Sequence, residues 1–247
     1  MLADISLRFA LVLSLLAVFA GAAASVVGFG IGSLLTPFLA LRMGADVAIA
    51  VVVLPHLAGG TLRGWRLRHH IDRTVLLRFG ALSAAGALLG ALFFSRMAPL
   101  LLTRILGLLL LLTASAGLAG WTERWQPRGL LAWALGLLSG FFGGVAGNQG
   151  GLRAAGLSAF NLAPVTFVAT STVIGIFIDL VRAPVYVNAA GPRLLELWQL
   201  IGMLSAGVLL GTLAGERLLL GLSAKTFRAL ISTAIGILGL WFLFVPA

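Results

Sequence analysis

Long runs of hydrophobic residues, separated by short gaps that contain charged residues or prolines, dominate the chain. Most runs have about 20 residues, the length with which an α-helix crosses the hydrocarbon core of a bilayer. The alternation of apolar and polar positions that is typical of membrane β-barrels is almost missing. The pattern predicts an all-α polytopic membrane protein with apolar segments at residues 9–41, 45–62, 74–94, 100–120, 129–162, 164–181, 194–215 and 226–245.

The first and fifth segments are too long for one straight crossing. At 1.5 Å per residue, a helix over either segment would extend roughly 50 Å, whereas the bilayer core is about 30 Å thick. Both segments contain helix-breaking residues, namely Gly28–Gly32 followed by Pro37 in the first and Gly143–Gly151 in the fifth. We therefore expect these two segments to be glycine-broken or re-entrant.

The two interrupted segments occupy matching places in the two halves of the chain. A shift of 119 residues superposes Gly21 on Gly140, Gly28 on Gly147, Gly32 on Gly151 and Ala50 on Ala169, and a shift of 121 superposes Gly86 on Gly207 and Gly90 on Gly211. These matches predict two internally duplicated repeats of about four apolar segments each, at residues 1–120 and 129–247, joined by a linker at residues 121–128. Broken crossings would make the repeats parallel and re-entrant hairpins would invert them, and the sequence leaves both arrangements open.

Composition and charge support a membrane protein. Hydrophobic residues make up 60% of the chain and charged residues 10%, against roughly a quarter charged in soluble proteins. The net charge of +10 comes mainly from arginines in the gaps between apolar runs. The positive-inside rule explains these arginines better than nucleic-acid binding does, so we expect no nucleic-acid partner and a cytoplasmic loop at residues 63–73.

Residues for metal or enzyme chemistry are scarce. The chain has no cysteine and three histidines, and His69 and His70 both fall in the predicted loop. The short motifs of metalloproteases, α/β-hydrolases and phosphate-binding loops are also missing from the sequence. We therefore expect neither a metal, nor a cofactor, nor an enzymatic activity.

The glycine-rich breaks are the strongest candidate functional site. Non-helical backbone at membrane depth is tolerated only where protein or a water-filled cavity satisfies its polar groups, and half-helix N-termini carry partial positive charge that suits a small anion. Gly-x-x-x-Gly spacing also permits close helix packing, so a purely structural role stays open. The candidate substrate-binding residues are Gly28, Gly30, Gly32, Ser33 and Thr36 in the first break and Gly147, Asn148, Gln149, Gly150, Gly151 and Arg153 in the second.

Three ionisable residues within or near the ends of apolar segments add candidate chemistry. A buried guanidinium at Arg153 would offer bidentate hydrogen bonds to an oxyanion, whereas at the membrane interface it would only snorkel or pair with a carboxylate. Asp179 would carry a coupling proton or form an ion pair with Arg182. His56 would titrate or bind substrate, and the alternative is a hydrogen-bonded packing residue.

The duplicated motif resembles that of the sulfite exporter TauE/SafE family, also called the toluene sulfonate uptake permease family. The resemblance rests on Gly28 through Pro37 and on Gly140–Gly144 continuing through Gly147 to Gly151, and it extends over nearly the whole chain. It implies a secondary transporter for small sulfur-containing or organic anions such as sulfite and sulfonates. The sequence departs from the usual glycine run at Phe29, Ile31, Ser33, Asn148, Gln149 and Arg153, and Gly156 stands where Pro37 would predict proline.

We expect this transporter to lie in the cell inner membrane and to bind its anion where the two breaks meet, with one repeat rocking against the other. Its expected partners are a small anionic substrate and the lipid bilayer. A coupling proton or cation and a homo-oligomeric state are further expectations that the sequence leaves open. A passive anion channel and a non-transporting membrane scaffold are the alternative functions.

Overall fold

The computed structural model describes residues 7–120, 126–148, 150–218 and 224–244, and all regular structure within these residues is helical. The helices are α1 Leu7–Val27, α2 Ile31–Met43, α3 Ala45–Arg66, α4 Arg73–Phe94, α5 Pro99–Ala119, α6 Leu130–Ala146, α7 Gly150–Leu157, α8 Pro164–Glu196, α9 Trp198–Leu218 and α10 Ala224–Phe244. Six of these described helices are long and apolar enough to cross a membrane: α1, α3, α4, α5, α8 and α9.

Large apolar side chains cover the outer faces of the helices. Leu15 is 72% exposed, Leu77 67% and Trp241 58%. Exposed apolar side chains on many helices would be unfavourable in water, but they are suited to lipid. Together with the helix lengths, this surface confirms the prediction of an all-α polytopic membrane protein.

The first long segment folds back on itself. Helix α1 ends at Val27, and Gly28 and Gly30 then adopt positive φ angles of 84° and 134°, which other residues rarely adopt. Helix α2 returns along α1, because the guanidinium of Arg42 near the end of α2 lies 5.0 Å from the ring centroid of Phe9 near the start of α1. The segment is therefore a helical hairpin rather than one broken crossing.

The second long segment forms the equivalent hairpin with a shorter return helix. Gly147, with φ of 69°, ends α6, and α7 contains only eight residues. Helix α7 runs back towards the start of α6, because a Cβ atom on Gly156 would lie 3.1 Å from the Cβ atom of Leu135. Both hairpins return the chain towards the side from which it entered the bundle.

Each hairpin packs against a helix of the other half. In the α1–α9 pair, a Cβ atom on Gly207 would lie 2.9 Å from the Cβ atom of Ala17, and one on Gly215 would lie 2.9 Å from that of Ser25. Both intervals are eight residues in the same direction, so α1 and α9 are parallel. The small residues on both helices permit this close packing.

The same contact recurs between α4 and α6. A Cβ atom on Gly86 would lie 2.1 Å from the carbonyl oxygen of Leu137, and one on Gly90 would lie 2.0 Å from that of Phe141. Only glycine permits such close approach of two helix backbones. Helices α4 and α6 are therefore parallel too, in a pair equivalent to α9 and α1.

Two pairs of helices, α3 with α8 and α5 with α10, are antiparallel. Helix α3 meets α8 at His56 with Asp179 and at Arg63 with Thr172, so residue numbers rise on α3 as they fall on α8. Helices α5 and α10 are also antiparallel, because Gly107 lies against Phe242 whereas Gly236 lies against Ala114.

Candidate functional site

The two glycine breaks come together inside the bundle. A Cβ atom on Gly32 would lie 2.6 Å from the carbonyl oxygen of Gly147, so only glycine allows this approach. The Ser33 hydroxyl donates a hydrogen bond to Oδ1 of Asn148 at 2.9 Å, and both side chains are buried. The structure therefore brings the predicted residues of the first break into contact with those of the second.

Buried polar atoms without a partner lie at this junction. The amide nitrogen Nδ2 of Asn148 and the hydroxyl oxygen of Thr36 have no hydrogen-bond partner among the described residues. Such groups cost roughly 1–3 kcal/mol each when buried and unsatisfied, so they favour a ligand that bonds to them. Gln149, which belongs to the predicted site, lies outside the described residues.

The remaining break glycines are held by close contacts. Phe29 lies against Gly150, where an added Cβ atom would be 2.6 Å from the Phe29 side chain. Gly28 faces Val168 near the start of α8, and Gly151 faces Thr113 on α5. The predicted glycines thus connect the hairpins to the neighbouring helices as well as to each other.

A cavity of about 460 Å³ lies beside the breaks. Of the predicted site residues, Gly30, Ser33 and Gly151 line it, and Thr113 on α5 and Ser232 on α10 contribute hydroxyls. Thr113 and Ser232 are related by the same 119-residue shift as the breaks, although the sequence pattern alone did not single them out. No described residue lining the cavity is charged.

Arg153 is buried and faces α8 rather than the cavity. Its side chain is 1% exposed, its Nε donates to the Ser171 hydroxyl at 2.9 Å, and its Nη1 has no hydrogen-bond partner. The guanidinium lies against Gly175, where an added Cβ atom would be 3.1 Å from Nη1. Arg153 is therefore buried inside the protein rather than extended to its surface, and its role in substrate binding stays a prediction.

Arg63, which the sequence places among the loop charges, is buried as well. It is 4% exposed, its Nε donates to the Thr172 hydroxyl at 2.7 Å, and its Nη1 has no hydrogen-bond partner. The neighbouring Thr170 accepts a hydrogen bond from the backbone N–H of Asp72 at 2.9 Å. Three consecutive hydroxyls in an apolar helix were the available sequence signal for this arrangement.

His56 and Asp179 form the centre of a second buried network. Nδ1 of His56 lies 2.5 Å from one Asp179 carboxylate oxygen, and the Arg182 guanidinium lies 2.8 Å from the other. Arg182 also donates to the Gly143 carbonyl oxygen at 2.6 Å, and the Tyr186 hydroxyl donates to that of Gly144. The ion pair of Asp179 and the hydrogen bond of His56 are confirmed, whereas proton coupling stays a prediction.

The buried ionisable groups carry an excess of positive charge. Among the described residues, the fully charged buried groups are the guanidiniums of Arg63, Arg153 and Arg182 and the carboxylate of Asp179, so three cations face one anion. Uncompensated charge inside a membrane protein is costly and marks a functional site by default. The positive excess is suited to an anionic ligand.

The bundle contains helices long and apolar enough to cross a membrane, and its two helix breaks lie beside a buried centre with excess positive charge. These features are those of a multi-pass membrane protein suited to small anions. The sequence model of the sulfite exporter TauE/SafE family matches residues 13–242, and the chain belongs to this family. It is therefore a membrane transport protein, in a family of transporters rather than of enzymes. No curated protein and no solved structure is significantly similar to the chain.

Proposed function

We propose that this protein is a secondary transporter that moves a small sulfur-containing or organic anion across the cell inner membrane by alternating access. The meeting of the two breaks beside a net positive buried centre is the observation that carries the proposal. The anion binds between the half-helix N-termini of α2 and α7, where the free Nδ2 of Asn148 donates to it. Arg153, two residues beyond Gly151, supplies the neutralising charge.

The proposed transporter is built from two inverted repeats at residues 1–120 and 129–247, joined by the linker at residues 121–128. The antiparallel course of α3 against α8 and of α5 against α10 supports inversion rather than a parallel arrangement. In this orientation the basic loop at residues 63–73 faces the cytoplasm.

The moving bodies in alternating access combine helices of both repeats. Close glycine contacts join α1 to α9 and α4 to α6, so rocking one whole repeat against the other would separate backbones that touch. We therefore revise the expected motion: the α1–α9 pair moves against the α4–α6 pair, and the breaks between them open alternately to the two sides.

Transport is tested by uptake into vesicles that contain the purified protein. The substrates are sulfite, thiosulfate, short sulfonates and matched carboxylates, and the variant is Arg153→Ala. Because Arg153 provides a buried charge, we expect its loss to reduce uptake by about tenfold or more while the protein stays folded. Arg96→Ala, which removes an exposed arginine, is the matched control and should leave uptake unchanged.

The kinetics of uptake distinguish the alternative functions. A carrier shows saturable exchange or uphill movement driven by a second gradient, whereas a channel shows neither. A scaffold shows neither flux nor stabilisation by a ligand. Uptake that is unchanged in Arg153→Ala would remove this residue from the site.

Coupling to protons is the second part of the proposal. The short contact between His56 and Asp179 offers a buried position for a proton, close to Gly175 and the Arg153 guanidinium. We expect Asp179→Asn to abolish anion accumulation driven by a pH gradient while exchange of anions continues. If accumulation stays equally dependent on the gradient, Asp179 has a structural role only.

A further inference from the structure

Two buried guanidiniums are anchored side by side on α8. The Arg153 Nε bonds to Ser171, and the Arg63 Nε bonds to the next residue, Thr172. The two arginines come from different helices, α7 and α3, and reach α8 within one turn of each other. In both, the Nε is fixed by a hydroxyl while the terminal Nη1 has no partner.

Because the two guanidiniums bond to adjacent residues of α8, their positive charges repel each other, and no ion pair among the described residues neutralises either of them. Asp179 is paired with Arg182 and His56, so its carboxylate is already shared. Two like charges in a buried place are unfavourable unless an opposite charge lies between them. The neutral hydroxyls of Ser171 and Thr172 orient the guanidiniums without supplying that charge.

We propose that Arg63 and Arg153 together form a binding site for a doubly charged oxyanion, where α3 and α7 meet α8 at Ser171 and Thr172. This site rests on the proposed transport function, because its ligand is taken to be the transported anion. Arg63 becomes a substrate-binding residue rather than a loop charge.

The charge and the geometry both favour a dianion. Each guanidinium offers N–H groups in a rigid fork that matches oxygen atoms of an oxyanion. A dianion neutralises both arginines at once, whereas a monoanion leaves one buried positive charge uncompensated. We therefore expect thiosulfate to bind more tightly than methanesulfonate, which carries a similar sulfur–oxygen group but a single negative charge.

Binding is measured by thermal stabilisation of the whole protein in nanodiscs of zwitterionic lipid, titrated with thiosulfate or methanesulfonate. The variant is Arg63→Gln, and the matched control is Arg66→Gln, which makes the same charge change at an exposed position on the same helix. We expect Arg63→Gln to weaken thiosulfate binding about tenfold or more, to reduce the preference over methanesulfonate, and Arg66→Gln to change neither.

Several results would overturn the site. The site is contradicted if Arg63→Gln binds thiosulfate with wild-type affinity. It is also contradicted if Arg66→Gln loses as much affinity as Arg63→Gln, because the loss would then be a general effect of charge. If Arg63→Gln does not fold, Thr172→Val keeps both charges but releases the Arg63 Nε, and unchanged thiosulfate binding in this variant overturns the proposal. Stabilisation that needs anionic lipid and ignores thiosulfate would assign the site to a lipid headgroup instead.

The site and the transport function can fail separately. Thiosulfate binding that depends on Arg63, in a protein without flux, would retain the site and contradict transport. Flux that is unchanged in Arg63→Gln would retain transport and remove the site.

Discussion

The two halves of the molecule carry an arginine at the same place but neutralise it differently. Adding 119 to 63 gives 182, so Arg63 on α3 and Arg182 on α8 are equivalent. Arg182 pairs with Asp179, three residues earlier on the same helix, whereas the equivalent position in the first half is Gly60. Arg182 is thus part of an ion pair, whereas Arg63 has no ion pair among the described residues and, in our proposal, binds a ligand.

The two hairpins also differ in length and in charge. Helix α2 has 13 residues and carries the exposed Arg42 in its last turn, whereas α7 has eight residues and holds the buried Arg153. The position equivalent to Arg153 in the first hairpin is Leu34, which is buried and apolar. The two hairpins thus share a backbone pattern, and only the second carries a buried arginine among the described residues.

The largest effect on stability should follow from removing the carboxylate that neutralises Arg182. Asp179→Ala leaves Arg182 buried without its carboxylate, so we expect the free energy of unfolding to fall by about 3–5 kcal/mol, measured by denaturant titration in detergent. Asp46→Ala removes an acid from a more exposed pair, in which Arg193 lies 3.5 Å away, and should cost under about 1 kcal/mol. Equal losses in the two variants would contradict the distinction.

A smaller loss of stability should come from a side chain that pushes α9 away from α1 at their close backbone contact. A Cβ atom on Gly211 would lie 1.8 Å from the Val18 carbonyl oxygen, so Gly211→Ala should cost about 1–3 kcal/mol in the same titration. Gly202→Ala on the same helix is the control, because no atom lies within 4 Å of its added Cβ. We expect this control to be neutral or to gain up to about 1 kcal/mol from helix propensity.

The smallest expected effect comes from adding to the first half the carboxylate that only the second half has. Gly60→Asp places a carboxylate three residues before Arg63, as Asp179 stands before Arg182. We expect thiosulfate binding to fall about tenfold relative to Gly60→Asn, which has the same size without the charge. Both changes must displace the Ile176 side chain slightly, because an added Cβ would lie 3.2 Å from it. Equal binding in the two variants would show that charge does not distinguish the halves.

The sequence predicts the helices and the breaks well because both depend on local composition. It does less well with α8, which continues through Arg182 to Glu196 although the apolar run ends at residue 181. A charge ends an apolar run in the sequence but not a helix, and here Asp179 and Gly143 satisfy Arg182 inside the bundle.

The candidate site is predictable only in part. The duplication identifies the glycines that meet, because positive φ and close approach restrict those positions to glycine. The burial of Arg63 and the direction in which Arg153 points depend on which helices surround them. The contact of Arg63 joins residues 109 positions apart, that of Arg153 joins two different helices, and no local pattern encodes either of them.

Because helices of one half pack on helices of the other half, folding during synthesis must wait for the later helices. Helix α1 leaves the ribosome early, yet the groove that it fills is on α9, which begins at Trp198. At 5–20 residues per second, α1 waits about 10–40 s for its partner. Throughout that interval the face of α1 around Gly21 must be covered by lipid or by the insertion machinery. The second half of the chain therefore completes the folding of the first, and the two halves expressed as separate polypeptides should mature only when they are produced together.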